Sequence, residues 1–317
     1  MEIRPARSYP VPGHPDLESS YQYHPGMPEN VILRMSKSSV GDYGFCQQQY
    51  FIKRVLGVKE PETEAMIRGS NVHDATEDFY NNLNIEDAVA LKKHGYERVL
   101  KHFRTFIPDS SPKRGVFELG EQEHLDKLFV AEAKRFMVSN PEYFKPVGNE
   151  ITLNAVVEID GQKVHLTGII DRMFMDEDGA IHLHELKTGV FKDKKSKWES
   201  MRKEMAFYVY LLTICDHPKL KGVNTSYWGW DHTGGLLDEY DDRVFRVIET
   251  IKSPEIALMK KDISDLIKSH QGYDGSYNGD SFLLKPLGAV PYICEPWCRV
   301  KAFCPRYGAT AIPWEEE

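Results

Sequence analysis

The 317-residue chain lacks any apolar run approaching the roughly 20 residues that span a bilayer. Its opening, MEIRPARSYPVPGHP, lacks the apolar stretch of a secretory signal. A membrane partner and a secretory leader are set aside on that reading, and a cytoplasmic protein is expected. Net positive charge is also missing: 40 Lys and Arg against 48 Asp and Glu leave −8 at pH 7. That excludes a protein that coats nucleic acid through its overall charge, while a local basic groove stays open. No GxxxxGK[ST] stretch occurs, so the chain carries no conventional nucleotide-driven motor. There is no internal repeat and no low-complexity domain. Cysteine is scarce, with five in all. In a reducing compartment clustered cysteines are metal ligands or reactive thiols rather than bridges. What is present is the mixture of a soluble globular protein, 41% hydrophobic and 28% charged, long enough to bury a sizeable core in one large domain.

Residues 1 to about 30 hold six prolines with Tyr9, Tyr21 and Tyr23 and show no helical or strand period, which reads as an extended arm. The ordered body, a single domain over about 31–307, opens at VILRMSKSSVGDYGFCQQQYFIKRVLGV. There Ser36 or Ser38 can cap a short helix, and Tyr43, Cys46 and Tyr50 recur at helical spacing. A helix is expected from about Glu62 to Asn82, carrying GSNVHDATEDFY, with further helical stretches over about Ile85–Phe106 and Glu118–Ser139. The latter two make up a helical insertion over about 83–148. From Glu150 the pattern becomes extended and β-branched: EITLNAVVEID, the Gly161 turn, QKVHLTGIIDRMFMD, the Asp178-Gly179 turn, then AIHLHELKTG. This is a three-strand meander. The charged segment KDKKSKWESMRKE leads into the amphipathic helix EMAFYVYLLTICD, followed by a strand, NTSYWGWD, two mixed segments, and an acidic tail over 308–317. The expected class is α/β in the α+β sense, a central mixed β-sheet flanked by helices with a helical N-terminal part.

Asp171 falls near the end of one strand of the meander and Glu185 near the end of the next, so the hairpin register can bring their carboxylates together. Glu185 and Lys187 are two apart on one strand and share a face. Two such carboxylates make a hard-oxygen site suited to Mg²⁺ or Mn²⁺. A lysine beside the cation can orient or deprotonate a water and offset charge developing on a phosphate. His73 and Glu77, four apart on the preceding helix, share a face, and His73 offers an imidazole that favours Mn²⁺ somewhat. Glu204 and Tyr208, also four apart, can reach a substrate backbone or brace Lys187. Taken alone, a Glu-Leu-Lys at a strand end also describes a solvated edge, so the order of the parts carries the reading.

Cys294, Cys298 and Cys304 form a compact array near one end, with Cys46 available from the other. Four thiolates suit Zn²⁺ or a [4Fe–4S] cluster, and the spacing does not choose between them. The fifth, Cys215, lies in YLLTICDHP and reads as a small buried hydrophobe.

The succession of SxSxxxxYxxC, GxxxH (Gly69 to His73), GIIDR with Asp171, HELKTG with Glu185 and Lys187, and a helix with Glu204 and Tyr208 resembles RecB-type nucleases of the PD-(D/E)XK superfamily. The likeness runs from about Val31 to Pro305. It implies a restriction-endonuclease-like core in which His73, Asp171, Glu185 and the Leu186 carbonyl bind the divalent metal and Lys187 activates or positions water. One cysteine ahead of GxxxH and three at the end are similar to the iron–sulfur members of that group: CRISPR-associated exonucleases, the AddB nuclease domain and eukaryotic exonuclease V. That likeness implies a [4Fe–4S] cluster on Cys46, Cys294, Cys298 and Cys304, closing the two ends of the fold, with Zn²⁺ as the alternative. Two positions depart from the family pattern. Glu204 stands where Gln is usual, adding negative charge where DNA would lie, and Gln47 stands where Pro usually follows the first cysteine.

Lys192, Lys194, Lys195, Lys197, Arg202 and Lys203 follow the strand of Glu185, and Arg299, Lys301 and Arg306 surround the late cysteines. Either group is a solvated face or a set of phosphate contacts, and the place of Lys192, Lys194 and Lys195 beside Lys187 favours the second. Trp198, Tyr227, Trp228 and Trp230 could stack on unpaired bases, although Trp228 and Trp230, on a strand, suit the core better. The expected activity is hydrolysis of DNA phosphodiesters from single-stranded or frayed ends. The alternative is a DNA-end-binding subunit, or one working with a helicase or recombination partner, with little cleavage of its own.

Overall fold

The computed structural model describes residues 10–11, 14–18, 33–60, 62–110, 119–175, 177, 181–191, 204–212, 223–231, 236–245, 254–273 and 281–309. Two short strands, β1 (Pro10–Val11) and β2 (His14–Glu18), pair antiparallel in the N-terminal stretch, where the sequence shows no strand period.

Among the described residues the main sheet has six strands. β3 (Leu33–Ser36) comes first in the chain. β4 (Gly148–Ile159) and β5 (Gln162–Met175) follow as a long antiparallel hairpin with Ile159 opposite Gln162. The two turn residues, Asp160 and Gly161, both have positive φ, 51° and 73°. That backbone closes a two-residue hairpin with the twist the strands need, and it explains why a glycine stands there. β6 (Ile181–Phe191) runs antiparallel to the end of β5, completing the expected meander. β7 (Val223–Asp231) lies parallel to β6, and β8 (Leu236–Phe245) antiparallel to β7.

The pairing of β5 creates the feature on which the site depends. Val164 to Thr167 pair with β3 and also with β4, so those two strands lie on opposite edges of β5. Arg172 and Met173 pair with both β6 and β4. β3 and β6 therefore share one edge of β5, end to end. Because β3 is parallel to β5 and β6 antiparallel, their C-terminal ends point at each other across Gly168 to Asp171. The sheet is split at that point, and whatever follows β3 and β6 converges on Asp171. β3 is only four residues long, too short for its alternation to stand out from a loop in the sequence.

The chain leaves β3 directly into α1 (Lys37–Phe45), with Ser36 as cap: its Oγ accepts from the Ser39 N–H and Ser39 Oγ accepts from the Ser36 N–H, a capping box. Tyr43, Cys46 and Tyr50 do not lie on one continuous helix. Cys46 is extended, at φ −161° and ψ 118°, and separates α1 from α2 (Gln47–Tyr50). α3 (Glu64–Asn82) is capped by Thr63 and corresponds to the expected helix. The stretch expected as one helix over 85–106 is two, α4 (Ile85–Lys92) and α5 (Tyr96–Arg104), divided at Gly95 with φ 91°. α6 (Leu119–Val138) completes this helical group. Phe79, Phe103, Phe129, Phe136 and Phe144 fill a second core there, which also receives Leu186 from β6. Helix α7 (204–212) comes between the parallel strands β6 and β7 and lies over the split: a Cβ on Gly168 would stand 3.0 Å from both Tyr208 and Leu211. α8 (Pro254–Gly272) packs on α1 and α2, with Tyr43 hydroxyl 2.9 Å from Ser269 and Tyr50 hydroxyl 2.9 Å from His270. The result is a mixed central sheet flanked by helices, as the sequence led one to expect.

Candidate active site

Asp171 sits at the split, on β5, one residue beyond the Arg172–His184 cross-strand pair. Its Oδ2 accepts the Leu186 backbone N–H at 2.8 Å, which locks the two strands together at the level of the candidate site. Burial, and after it the charge of Glu185, raises the Asp171 carboxyl to about 6, against the opposing pull of His73, the Leu186 N–H and Lys187.

His73 reaches the same place from α3. Its Nε2 donates to the Leu186 carbonyl at 3.1 Å, and its Nδ1 lies 3.3 Å from Glu150 Oε1 and 3.8 Å from Asp171 Oδ2. Burial works to lower the imidazole's pKa, but the Glu150 hydrogen bond and the Asp171 and Glu150 charges outweigh it and raise it. Both ring nitrogens thus face acceptors, an arrangement that favours the protonated ring where a cation would sit. α3 can approach β6 this closely because Gly69, one turn before His73, has no side chain: a Cβ there would stand 3.1 Å from Thr188 Oγ1. That is the physical content of the glycine in GxxxH.

Glu150 was not singled out from the sequence. Its carboxylate, His73 and Asp171 form a group whose ligand atoms all lie within 4.8 Å of one another among the described residues. Glu77, on the same face of α3 as His73, is not in that group, and neither is Glu185, which was expected as a ligand and whose Oε1 is engaged by Lys187 and Lys37. Glu150 has φ 47°, a left-handed conformation that costs a non-glycine residue roughly 1–2 kcal/mol and is kept where the surroundings demand it. No spacing rule marks a lone glutamate at a strand start, and only the register of β4 brings it opposite Asp171. One imidazole, two carboxylates and the nearby Leu186 carbonyl form a nitrogen and oxygen donor set that fits Mg²⁺ or, better, Mn²⁺.

Glu185 is buried, and its Oε1 accepts from Lys187 Nζ at 2.5 Å and from Lys37 Nζ at 2.9 Å. Glu204, on the first turn of α7, takes the same two lysines with Oε2, at 3.0 Å from Lys187 and 3.1 Å from Lys37. Burial would raise its pKa, but the charges of Lys187 and Lys37 prevail and bring it down to about 2. Both lysines are held protonated, the two carboxylates outweighing burial. Tyr208 is buried beneath them, with Lys37 Nζ 5.0 Å from its ring centre. Lys37 is a second residue the sequence reading missed, although it stands inside the SxS motif that was noticed. Lys192, Lys194 and Lys195, with Lys197, Trp198, Arg202 and Lys203, lie outside the described residues. The side chains of Tyr227, Trp228 and Trp230 on β7 do too, as does Cys215.

Cys46, Cys294, Cys298 and Cys304 are all free thiols. Burial raises Cys298 to about 11, and the other three cysteines push it in the same direction, so the four thiols sense one another across the two ends of the chain. Cys304 is raised similarly. Cys294 is buried and the other three are half-buried, and among the described residues the four sulfurs do not form a group at the 4.8 Å spacing of His73, Glu150 and Asp171. At the helix break Cys46 keeps its N–H on the Asp42 carbonyl, the last bond of α1, while its own backbone is extended. Around the late cysteines the basic residues already have protein partners: Arg299 donates to Met66 Sδ, Lys301 to Glu295, and Arg306 to the Lys285 carbonyl. Of the two readings left open for them, phosphate contact would have to compete with these bonds inside the fold.

A sheet split around two carboxylates and a lysine, with a helix-borne histidine against them, defines the class: a nuclease core that uses a divalent metal. The family model described as the PD-(D/E)XK nuclease superfamily matches residues 34–305, and the chain belongs to that superfamily. Among solved structures it is similar to SSO0001, at 14% identity and TM-score 0.35, over 76% of this chain and 97% of that one. It is also similar to a protein from Eubacterium rectale provisionally named an exonuclease, at 13% identity and TM-score 0.42, over 75% of this chain and 82% of that one. At TM-scores this low neither likeness bears on function. No curated protein matches the chain. Among the described residues no helix is long and apolar enough to cross a membrane.

Proposed function

We propose that the protein is a RecB-like DNA exonuclease of the iron–sulfur type, hydrolysing phosphodiesters from single-stranded or frayed ends. The observation that carries this reading is the convergence of His73, Asp171, Glu185 and Lys187 at the split between β3 and β6. His73, Asp171 and Glu150, with the Leu186 carbonyl, would hold a divalent cation, and Glu185 would join them through the oxygen outside its lysine contacts. When bound, Mg²⁺ or Mn²⁺ supplies charge stabilisation for a phosphate and lowers the pKa of water. Lys187 then has two tasks for which its ammonium is placed: orienting the attacking water and offsetting charge on the phosphate as the bond breaks. Glu204 steadies that ammonium, and the Lys192, Lys194 and Lys195 run would follow the DNA backbone away from the site.

The four cysteines support a [4Fe–4S] cluster with a structural role. A DNA-end-binding or helicase-associated subunit with little cleavage is the competing reading, and the intact Asp171, Glu185 and Lys187 argue against it. The test is degradation of end-labelled single-stranded, duplex and covalently closed circular DNA in Mn²⁺ or Mg²⁺. Linear single strands are expected to be degraded and closed circles spared. Cleavage of circles would replace the exonuclease by an endonuclease, and no cleavage of any substrate would favour the binding subunit.

A further inference from the structure

Two lysines and two carboxylate oxygens close a ring in the site. Glu185 Oε1 and Glu204 Oε2 each accept from both Lys37 and Lys187, with edges of 2.9, 2.5, 3.0 and 3.1 Å. Its members come from three elements that the split sheet brings together: Lys37 from the first residue of α1, Glu185 and Lys187 from β6, and Glu204 from α7. The ring occupies one oxygen of Glu185. The other oxygen is outside it. Glu185 is almost fully buried, with a side chain 3% exposed, while Lys37, Lys187 and Glu204 are 22%, 25% and 28% exposed and face the open side.

We propose that Lys37 and Glu204 form a charge-compensated pair that positions Glu185 and Lys187, so that Lys37 is a second working lysine of this site. Glu204 alone would place an unpaired carboxylate beside the ammonium of Lys187 and draw it away from a phosphate. Lys37 supplies the opposite charge to the same Glu204 oxygen and also holds Glu185 Oε1 from the far side. Together the pair adds nothing to the net charge but fixes both groups that the proposed chemistry needs. Loss of either member unbalances the site, and loss of both restores the balance. Charges at contact distance in a half-buried site couple strongly, so the two positions are not independent. The pair's effect on cleavage rests on the nuclease reading above, while its effect on cation binding does not.

The experiment is a double-mutant cycle of wild type, Lys37→Met, Glu204→Gln and the double variant. It is read by Mn²⁺ affinity from the spin-resonance signal of the free ion, by kcat and KM on a single-stranded oligonucleotide, and by Tm. Lys37→Met leaves two carboxylates to one ammonium. It is expected to tighten Mn²⁺ about threefold or more and to raise KM for DNA about tenfold, because negative charge now faces the phosphate. Glu204→Gln should shift Mn²⁺ affinity the other way. The double variant should return to within about threefold of wild type in both, and to a higher Tm than Lys37→Met alone. Lys37→Arg, which keeps the charge, should stay nearer wild type than Lys37→Met. A double variant that stays as far from wild type as Lys37→Met in Mn²⁺ affinity or KM, or a Lys37→Met protein unchanged in both, would overturn the pair. If Lys37→Met does not fold, recovery of folding in the double variant supports the pair and failure to recover contradicts it. If wild type cleaves no DNA, the nuclease reading falls while the Mn²⁺ cycle still decides the pair.

Discussion

Asp171 carries the heaviest electrostatic burden in the site, since it is buried, faces Glu185 and has its carboxyl raised to about 6. A carboxyl raised above its ordinary value of 3.8 favours the metal-free fold most while protonated. That contribution is complete below about pH 4 and is lost as pH rises through 6, whereas a cation binds only the carboxylate. Saturating Mn²⁺ is therefore expected to raise Tm by roughly 5 °C at pH 7.5 and far less at pH 5. Thermal unfolding at the two pH values checks this, and an equal shift at both would contradict it. At this scale the sequence was informative in an uneven way. Asp171, Glu185, Lys187 and His73 were expected together because of the order of their motifs along the chain, while spacing alone gave only the shared faces of Glu185 with Lys187 and of His73 with Glu77. Glu150 and Lys37 were not, because each acts from a strand start or a helix start whose position only tertiary pairing fixes. Glu204 was legible as a departure that either reaches a substrate or braces Lys187, and its carboxylate is taken up by Lys187 and Lys37.

Among elements, the close approaches decide what the site can be. Gly69 lets α3 lie on β6, and Gly168 lets α7 lie on β5, so two glycines set the distances at which His73 and Glu204 enter. The hairpins were readable from β-branched alternation and the Gly161 turn. The split between β3 and β6 was not, since a four-residue strand gives no period. The break at Cys46 was also hidden, because Tyr43, Cys46 and Tyr50 imitate a continuous helix while the chain becomes extended at the middle residue. If that break exists to present a cluster ligand, Cys46→Ser should abolish the brown colour and broad visible absorbance expected of an anaerobic preparation. The same change should lower Tm. A colourless wild type holding one equivalent of zinc would assign the four thiols to zinc instead.

At the scale of the whole molecule, two hydrophobic cores meet at β6. The sheet core gathers β3 to β6 with α1, α2, α7 and α8, and the helical core gathers α3 to α6 around Leu186. The candidate site lies on that seam, with Asp171 and Glu185 supplied by the sheet and His73 by the helical group. A cluster on Cys46 and the three late cysteines would brace the arrangement by tying α1 to the end of the chain, a closure whose entropic value grows with the length of loop enclosed. The fold class was legible because helices and strands segregate along the chain. The seam was not, because it depends on which edge of β5 each neighbour takes. The account stands or falls on whether the groups at the seam cut DNA. The most direct measurement is degradation of an end-labelled single-stranded oligonucleotide in Mn²⁺ or Mg²⁺ by wild type, Asp171→Ala and Lys187→Ala side by side. Wild type should degrade it and stop on chelation, and each variant should be slower by about 10²-fold or more. Equal degradation by all three proteins would contradict the account.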